Sequence, residues 1–201
     1  NRSRMYKENL ARRDASTRVL NIDDFLGDLE MKAIAGPITD AEVARSAQLI
    51  NKSNQFHLTT KRYSDAEVNA FLASPDWRCY YFRLSDRFGD HGLISVVLIR
   101  IIDSEWEIDT WVMSCRVLSR TMEEYILDFL LNQAKNAGIS SLQGKYIPSG
   151  RNELVREVYP RLGFQSAGAN KEETLWKLAV DSHLIINTFV GHSPKQKFEE
   201  Q

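Results

Sequence analysis

An α/β (α+β) fold is predicted for this chain, and three observations carry the prediction. Strand-like and helix-like stretches alternate in the order β-α-α-β-β-β-α-β-α-β-β. Three helix starts carry a capping box: Thr39-Asp-Ala-Glu42, Ser64-Asp-Ala-Glu67 and Thr121-Met-Glu-Glu124. Leu93–Ile102 is nearly all apolar, the pattern of a central strand covered on both faces.

Each element has its own local signal. Residues 1–30 are charged, with Arg2, Arg4, Lys7, Arg12, Arg13 and Arg18, and apolar positions stay sparse until Phe25, Leu26 and Leu29. They read as a helical arm or interdomain linker that leans on something outside this chain and builds no core here. Met31–Ile38 is a short strand, and Thr39 opens a helix through about Asn51. Asn51–Arg62 is polar and aperiodic, hence a loop. Ser64 opens a second helix ending near Ser74, before Pro75. Trp77–Leu84 is an aromatic-rich strand, and Ser85–Gly92 carries a turn signal in Asp86, Gly89, Asp90 and Gly92. After Leu93–Ile102, Trp106, Ile108, Thr110 and Val112 alternate with Glu105, Glu107 and Asp109, which predicts a half-buried strand. The helix from Thr121 has an apolar stripe of Met122, Tyr125, Ile126, Phe129, Leu130, Ala134 and Ala137, and Gly138 stops it. Ser140–Tyr146 is a strand, and Asn152–Leu162 a helix capped by Gly163. Thr174–Val180 and Leu184–Phe189 read as closing strands. The domain therefore spans 31–190, with a tail at 191–201.

Composition narrows the function classes. The 201 residues are 43% hydrophobic and 26% charged, with a formal net charge of -1. Nucleic-acid binding leaves a basic footprint, and the chain as a whole has none. The longest apolar run is broken by Ser95 and Arg100 and is too short to span a bilayer. Two cysteines, Cys79 and Cys115, are too few for a disulfide framework, and no secretory signal is visible, so a cytoplasmic protein is expected. The start at Asn1 reads as that of a fragment. His57 and His91 have no His or Cys partner at metal spacing, so no metal site is expected.

The stretch Glu105–Gly138 carries the chemistry. A strand runs through a short turn, Arg116-Val-Leu-Ser119-Arg-Thr121, into an amphipathic helix. A helix start fed by a tight turn presents unpaired N–H groups and the positive end of a dipole, which suits a phosphate. The element order over roughly 31–190 resembles the GNAT acyltransferase fold, a mixed, mostly antiparallel sheet flanked by helices. The family's acyl-CoA loop, Gln/Arg-x-x-Gly-x-Gly/Ala, matches the place of Arg116–Thr121. Its later motif, Asn-x6-Tyr-x3-Gly-Phe, matches Asn152, Tyr159, Gly163 and Phe164. NKSNQFHLTTKRYSDAEV, SDRFGDHGLISV and EIDTWVMSCRVLSR are moreover similar to the C-terminal, GNAT-like half of FkbH-type proteins.

That closer resemblance implies a role in moving a glyceryl unit from 1,3-bisphosphoglycerate to an acyl carrier protein thiol in polyketide-type biosynthesis. It also implies a haloacid-dehalogenase-type phosphatase domain preceding this half. The chain departs from the pattern in three places. Ser119 and Thr121 stand where the motif has Gly and Gly/Ala, which predicts weak CoA binding. His57 stands where the family has Asn, and Pro160 follows Tyr159 inside a helix.

On this resemblance Cys115 is the acyl-accepting thiol, its thiolate favoured beside Arg116 and Arg120 at a helix start; the other reading is a small buried hydrophobe. Cys79 reads as core. Met113, Arg116, Val117, Leu118, Ser119, Arg120, Thr121 and Asn152 would hold a carrier protein's phosphopantetheine arm, or CoA weakly, along the splayed strand. Asp109 would be a base or orienter, and Glu107 a solvated strand charge. Tyr159 would protonate a leaving thiolate or simply pack. Asn54, Gln55, Thr59, Thr60 and Arg62 would clamp substrate. Two alternatives stand beside the acyltransferase: a non-catalytic docking module for a carrier protein, and a CoA-dependent N-acetyltransferase.

Overall fold

The computed structural model describes residues 22–182 and 184–193. Its strands are β1 Lys32–Pro37, β2 Trp77–Asp86, β3 Gly89–Ile102, β4 Glu105–Met113, β5 Ser141–Tyr146, β6 Gln165–Ala169, β7 Thr174–Ala179 and β8 Gly191–His192. The helices are α1 Ile22–Asp28, α2 Asp40–Lys52, α3 Asp65–Ala73, α4 Met122–Asn136 and α5 Val158–Arg161. The strands form one mixed sheet in the order β6-β7-β5-β4-β3-β2-β1-β8. Neighbours run antiparallel except β4 with β5 and β1 with β8. This is a GNAT-like α/β fold, as the element order predicts.

Helices cover both faces of the sheet. Met122, Tyr125, Ile126, Leu130 and Ala134 of α4 pack on one face with Leu26 and Leu29 from α1 and the residues just after it. Val43, Ala47 and Ile50 of α2 and Val68 of α3 pack on the other with Cys79, Tyr81, Val96 and Leu98. Two of the three capping boxes form. Thr39 N–H donates to Glu42 Oε2 at 2.9 Å, and Ser64 exchanges bonds with Glu67 in both directions. The third does not: Thr121 has φ 55° and makes no side-chain cap bond. Its hydroxyl instead accepts from Phe189 N–H at 2.9 Å.

Several sequence expectations are corrected. Only Arg87 and Phe88 turn between β2 and β3, because Asp86 Oδ1 takes both the Phe88 and Gly89 N–H groups and closes the hairpin tightly. β4 is buried on both faces rather than half-buried, and its alternation breaks at Asp109. Ile99 pairs with Ile108 and Leu98 with Thr110, so Asp109 is an extra, bulged residue. Parity then flips: Trp106, Ile108, Trp111 and Met113 share the α4 face, and Val112 lies on the α2 face.

The expected helix at Asn152–Leu162 is interrupted. A 3-10 turn at Glu153–Val155 precedes a four-residue α5 containing Pro160, which has no N–H to extend a longer ladder. Leu184–Phe189 is not a strand; its end is held at the start of α4, where Thr188 Oγ1 donates to Thr121 C=O at 2.9 Å. The fully exposed edge strand β6 and the two-residue β8 carry no hydrophobic alternation, so periodicity misses both. The end of the charged arm builds core after all, since Leu26 and Leu29 are buried. Residues 1–21 and 194–201, most of the arm and of the tail, lie outside the described residues.

Candidate functional site

The bulge and the parallel pairing of β4 with β5 create the site. Their pairing ends at Ile108 and Gly144, and from there the two strands diverge. On the α2 side of that divergence a cleft of about 710 Å3 opens. Arg45, Gln48, Leu49 and Lys52 come from α2, and Ser53, Asn54, Gln55 and Phe56 from the loop after it. Met113, Ser114 and Cys115 come from the end of β4, and Arg151 from the turn after β5. Three cations line this cleft, and its lining includes no carboxylate. Such a wall attracts anions.

Cys115 is exposed in the cleft wall. It heads a 3-10 turn anchored at Ser114, whose N–H donates to Ile94 C=O at 2.7 Å and whose C=O accepts from Val117 N–H at 3.1 Å. The position follows from β4 ending there. Cys79, by contrast, is core, and burial pushes its thiol up to about 12.

The charged partners expected for Cys115 are partly elsewhere. Arg120 reaches Asp86 Oδ2 at 3.1 Å, and the His91 ring meets the same carboxylate oxygen at 2.9 Å. Arg120 thus ties the α4 lead-in loop to the β2–β3 hairpin. Arg116 Nε donates to Ser114 Oγ at 3.2 Å. Val117 is buried in the core, and its N–H is taken by Ser114 C=O.

The loop itself keeps a glycine-like shape without glycine. Ser119 has φ 60° and Thr121 φ 55°, in the left-handed region that L side chains rarely adopt. Leu118, Ser119 and Thr121 border a smaller cleft of about 380 Å3 beside the start of α4, as the phosphate-site reading requires. Yet Glu123, Glu124 and Glu157 also line it. Arg161 bridges two of them, standing 3.4 Å from Glu123 Oε1 and paired with Glu124. Burial raises the Glu123 carboxyl above the usual range. Side-chain carboxylates already occupy the place where the helix dipole favours an anion.

Asp109 is not a free base. Its carboxylate pairs with Lys61, accepts from the Tyr63 hydroxyl at 2.8 Å and accepts from Thr110 Oγ1 at 3.0 Å. Burial, with the Asp109 charge second, pushes the Tyr63 hydroxyl up. Nor is Tyr159 an acid. It is fully buried, burial raises its hydroxyl far above the ordinary value, and it lines neither cleft. Its ring lies so close over Gly144 that a Cβ there would meet ring carbons at 2.3 Å. Glu107 is buried and paired with Lys145 at 2.7 Å rather than solvated.

Asn152 binds protein, not cofactor. Its Nδ2 donates to His57 C=O at 2.8 Å and to Ile147 C=O at 2.9 Å, while Oδ1 accepts from Ser149 N–H at 2.9 Å. Of the expected substrate loop only Asn54 and Gln55 line the cleft. Arg62 bonds the C=O groups of Ile50 and Ser53 and Asn54 Oδ1, closing the end of α2. Thr60, at φ 59°, donates its N–H to His57 Nδ1 at 3.0 Å, and Thr59 Oγ1 donates to Asp109 C=O at 2.8 Å. His57 Nε2 donates to Lys61 C=O at 2.7 Å, and burial lowers its pKa to about 4, so the ring is neutral.

Between the diverging strands lies Phe56–Leu58, which the sequence reading treats as loop. Met113 N–H donates to Phe56 C=O at 3.1 Å, and Leu58 N–H to Trp111 C=O at 3.2 Å. On the other side Ile147 N–H donates to Leu58 C=O at 2.9 Å. His57 and Val112 form an antiparallel bridge. Arg45, Lys52 and Arg151 are the other residues the sequence reading misses. Isolated surface cations carry no pattern, whereas Phe56 and Leu58, apolar two apart in a polar stretch, are a faint strand signal. Among the described residues no cluster of three His, Cys, Asp or Glu side chains could hold a metal, and no helix is long and apolar enough to cross a membrane.

No family model and no curated protein sequence matches this chain. Solved structures do match. The GNAT domain of Streptomyces lividans PAT is 14% identical with a TM-score of 0.58, over 73% of this chain and 90% of that one. The ribosomal-protein-S18-alanine N-acetyltransferase of Escherichia coli is 11% identical with a TM-score of 0.56, over 76% and 99%. YncA of Salmonella typhimurium, described as an acetyltransferase and solved with its cofactor acetyl-CoA, is 12% identical with a TM-score of 0.53, over 77% and 98%. Likeness at this identity establishes the GNAT fold. The groove that the sequence resemblance assigns to a pantetheine arm is filled here by Phe56–Leu58, and carboxylates crowd the start of α4. The residues present do not fit CoA in that groove.

Proposed function

We propose that this chain is an acyltransferase-like domain in which Cys115 accepts a small anionic acyl group and passes it to a carrier-protein thiol. One observation carries the reading: an exposed thiol in a cleft lined by Arg45, Lys52 and Arg151 and by no carboxylate. The cations attract an acyl phosphate such as 1,3-bisphosphoglycerate, and Asn54 and Gln55 supply amides for its C2 hydroxyl. Cys115 releases its proton to solvent, and the thiolate Sγ attacks the acyl carbon. The bond from acyl carbon to phosphate oxygen breaks, phosphate leaves, and a 3-phosphoglyceryl thioester remains on Cys115; water then cleaves its C3 phosphate ester in the phosphatase-type domain, releasing a second phosphate and leaving the glyceryl thioester. A carrier pantetheine thiolate then attacks the same carbon and expels the Cys115 thiolate. The partners in this reading are an acyl carrier protein and a preceding phosphatase-type domain.

The test joins the chain to such a phosphatase domain and follows the carrier protein by intact mass. Cys115→Ser is expected to abolish glyceryl loading, and alkylation of the parent chain is expected to label Cys115 while the buried Cys79 stays unmodified. Full loading by Cys115→Ser would remove the thiol from the reaction. A second reading, a non-catalytic docking module, would then lead. It has its own support: Asp109 and Tyr159, the acid–base residues expected from the sequence, are consumed by packing and pairing.

A further inference from the structure

We infer that Phe56–Leu58 is a built-in peptide strand that permanently closes the β4–β5 groove, so that no pantetheine or CoA chain lies along β4. Cys115 plays no part in this closure; the strand edge carries it. A diverging strand offers one row of N–H and C=O groups, and an extended amide chain binds by pairing with that row. On β4 the row is taken. Met113 N–H and Trp111 C=O bond to Phe56 C=O and Leu58 N–H, at 3.1 and 3.2 Å.

The far side of the insert is satisfied as well. Ile147 N–H bonds Leu58 C=O at 2.9 Å, and Asn152 Nδ2 bonds the intervening His57 C=O at 2.8 Å. The insert is thus paired to the exits of both strands it separates. Its side chains add burial: Phe56 is 2% exposed, and His57 and Leu58 are 0%. Phe56 sits edge-on to Trp111 with ring centroids 6.0 Å apart. Displacing the insert for a ligand exposes two apolar side chains and leaves Asn152, itself 0% exposed, with an orphaned donor. The pyrophosphate end of such a ligand would also meet Glu123 and Glu124 at the start of α4. Backbone pairing along β4 excludes the ligand, and among the described residues the start of α4 offers it no free cation, since Arg161 in that cleft is paired with Glu123 and Glu124.

The experiment is amide hydrogen exchange on the whole chain, free and with millimolar CoA, paired with calorimetry of the same mixture. The amides of Leu58 and Met113 are expected to be strongly protected in the free protein and to exchange at the same rate when CoA is present. No binding heat supports the inference. Binding heat with unchanged protection at both amides supports it too, since CoA then sits elsewhere. Binding heat with faster exchange at Leu58, showing the insert expelled, overturns it, as does fast exchange of both amides in the free protein. None of these readouts depends on Cys115, so this inference and the acyl-relay reading fail separately.

Discussion

At the scale of single residues, Gly144 and Tyr159 act as one unit. The aromatic ring fills the space a side chain at 144 would need, with approach distances of 2.3 Å to an added Cβ. Gly144→Ala is therefore expected to lower stability by about 1–3 kcal/mol through overpacking, read as a drop in thermal midpoint. Tyr159→Phe keeps the ring and removes only an enclosed hydroxyl, so glyceryl loading is expected to persist. Loss of loading with an unchanged melting temperature would restore Tyr159 as an acid. The motif spacing Asn152, Tyr159, Gly163, Phe164 is legible in the sequence, but its roles are not. A sequence shows that an Asn or Tyr is present; whether its polar atoms face ligand or protein depends on neighbours far along the chain, His57 for Asn152 and Gly144 for Tyr159.

At the scale of elements, the turn into α4 retains left-handed residues at Ser119 and Thr121. An L residue pays roughly 1–2 kcal/mol there, and glycine removes that strain at a flexibility cost of about 0.5–1 kcal/mol. Ser119 is exposed, so Ser119→Gly is expected to stabilise the fold by up to about 1 kcal/mol, measured as a denaturant midpoint. Thr121→Gly is expected to gain nothing, because it also loses the hydroxyl that accepts Phe189 N–H and meets Thr188 Oγ1. Equal gains at both positions would show that these bonds contribute no stability. The capping boxes at Thr39 and Ser64 are legible because a cap closes within four residues. The same pattern at Thr121 misleads, since its hydroxyl is claimed by a segment 67 residues away.

At the scale of the whole molecule, the end of the charged arm belongs to the core. Leu29 is 0% exposed, and its C=O accepts Arg87 N–H at 3.0 Å. Leu29→Ala is expected to cost about 2–5 kcal/mol, and a chain starting at Lys32 to melt well below one starting at Ile22. Equal melting of the two would make α1 an attached linker. By itself the sequence determined the order of most elements, two helix caps, the buried central strand and hence the GNAT-like fold. Those features arise from local hydrophobic period and short-range hydrogen bonding, which a linear pattern records. Only the tertiary structure decided the β4 bulge, the Phe56–Leu58 insert, the pairing of Asp109, Arg120 and Glu123, and the gathering of Arg45, Lys52 and Arg151 around Cys115. Each joins residues from separate elements, and the free energy of such a contact depends on burial and partner geometry that exist only after the sheet has closed.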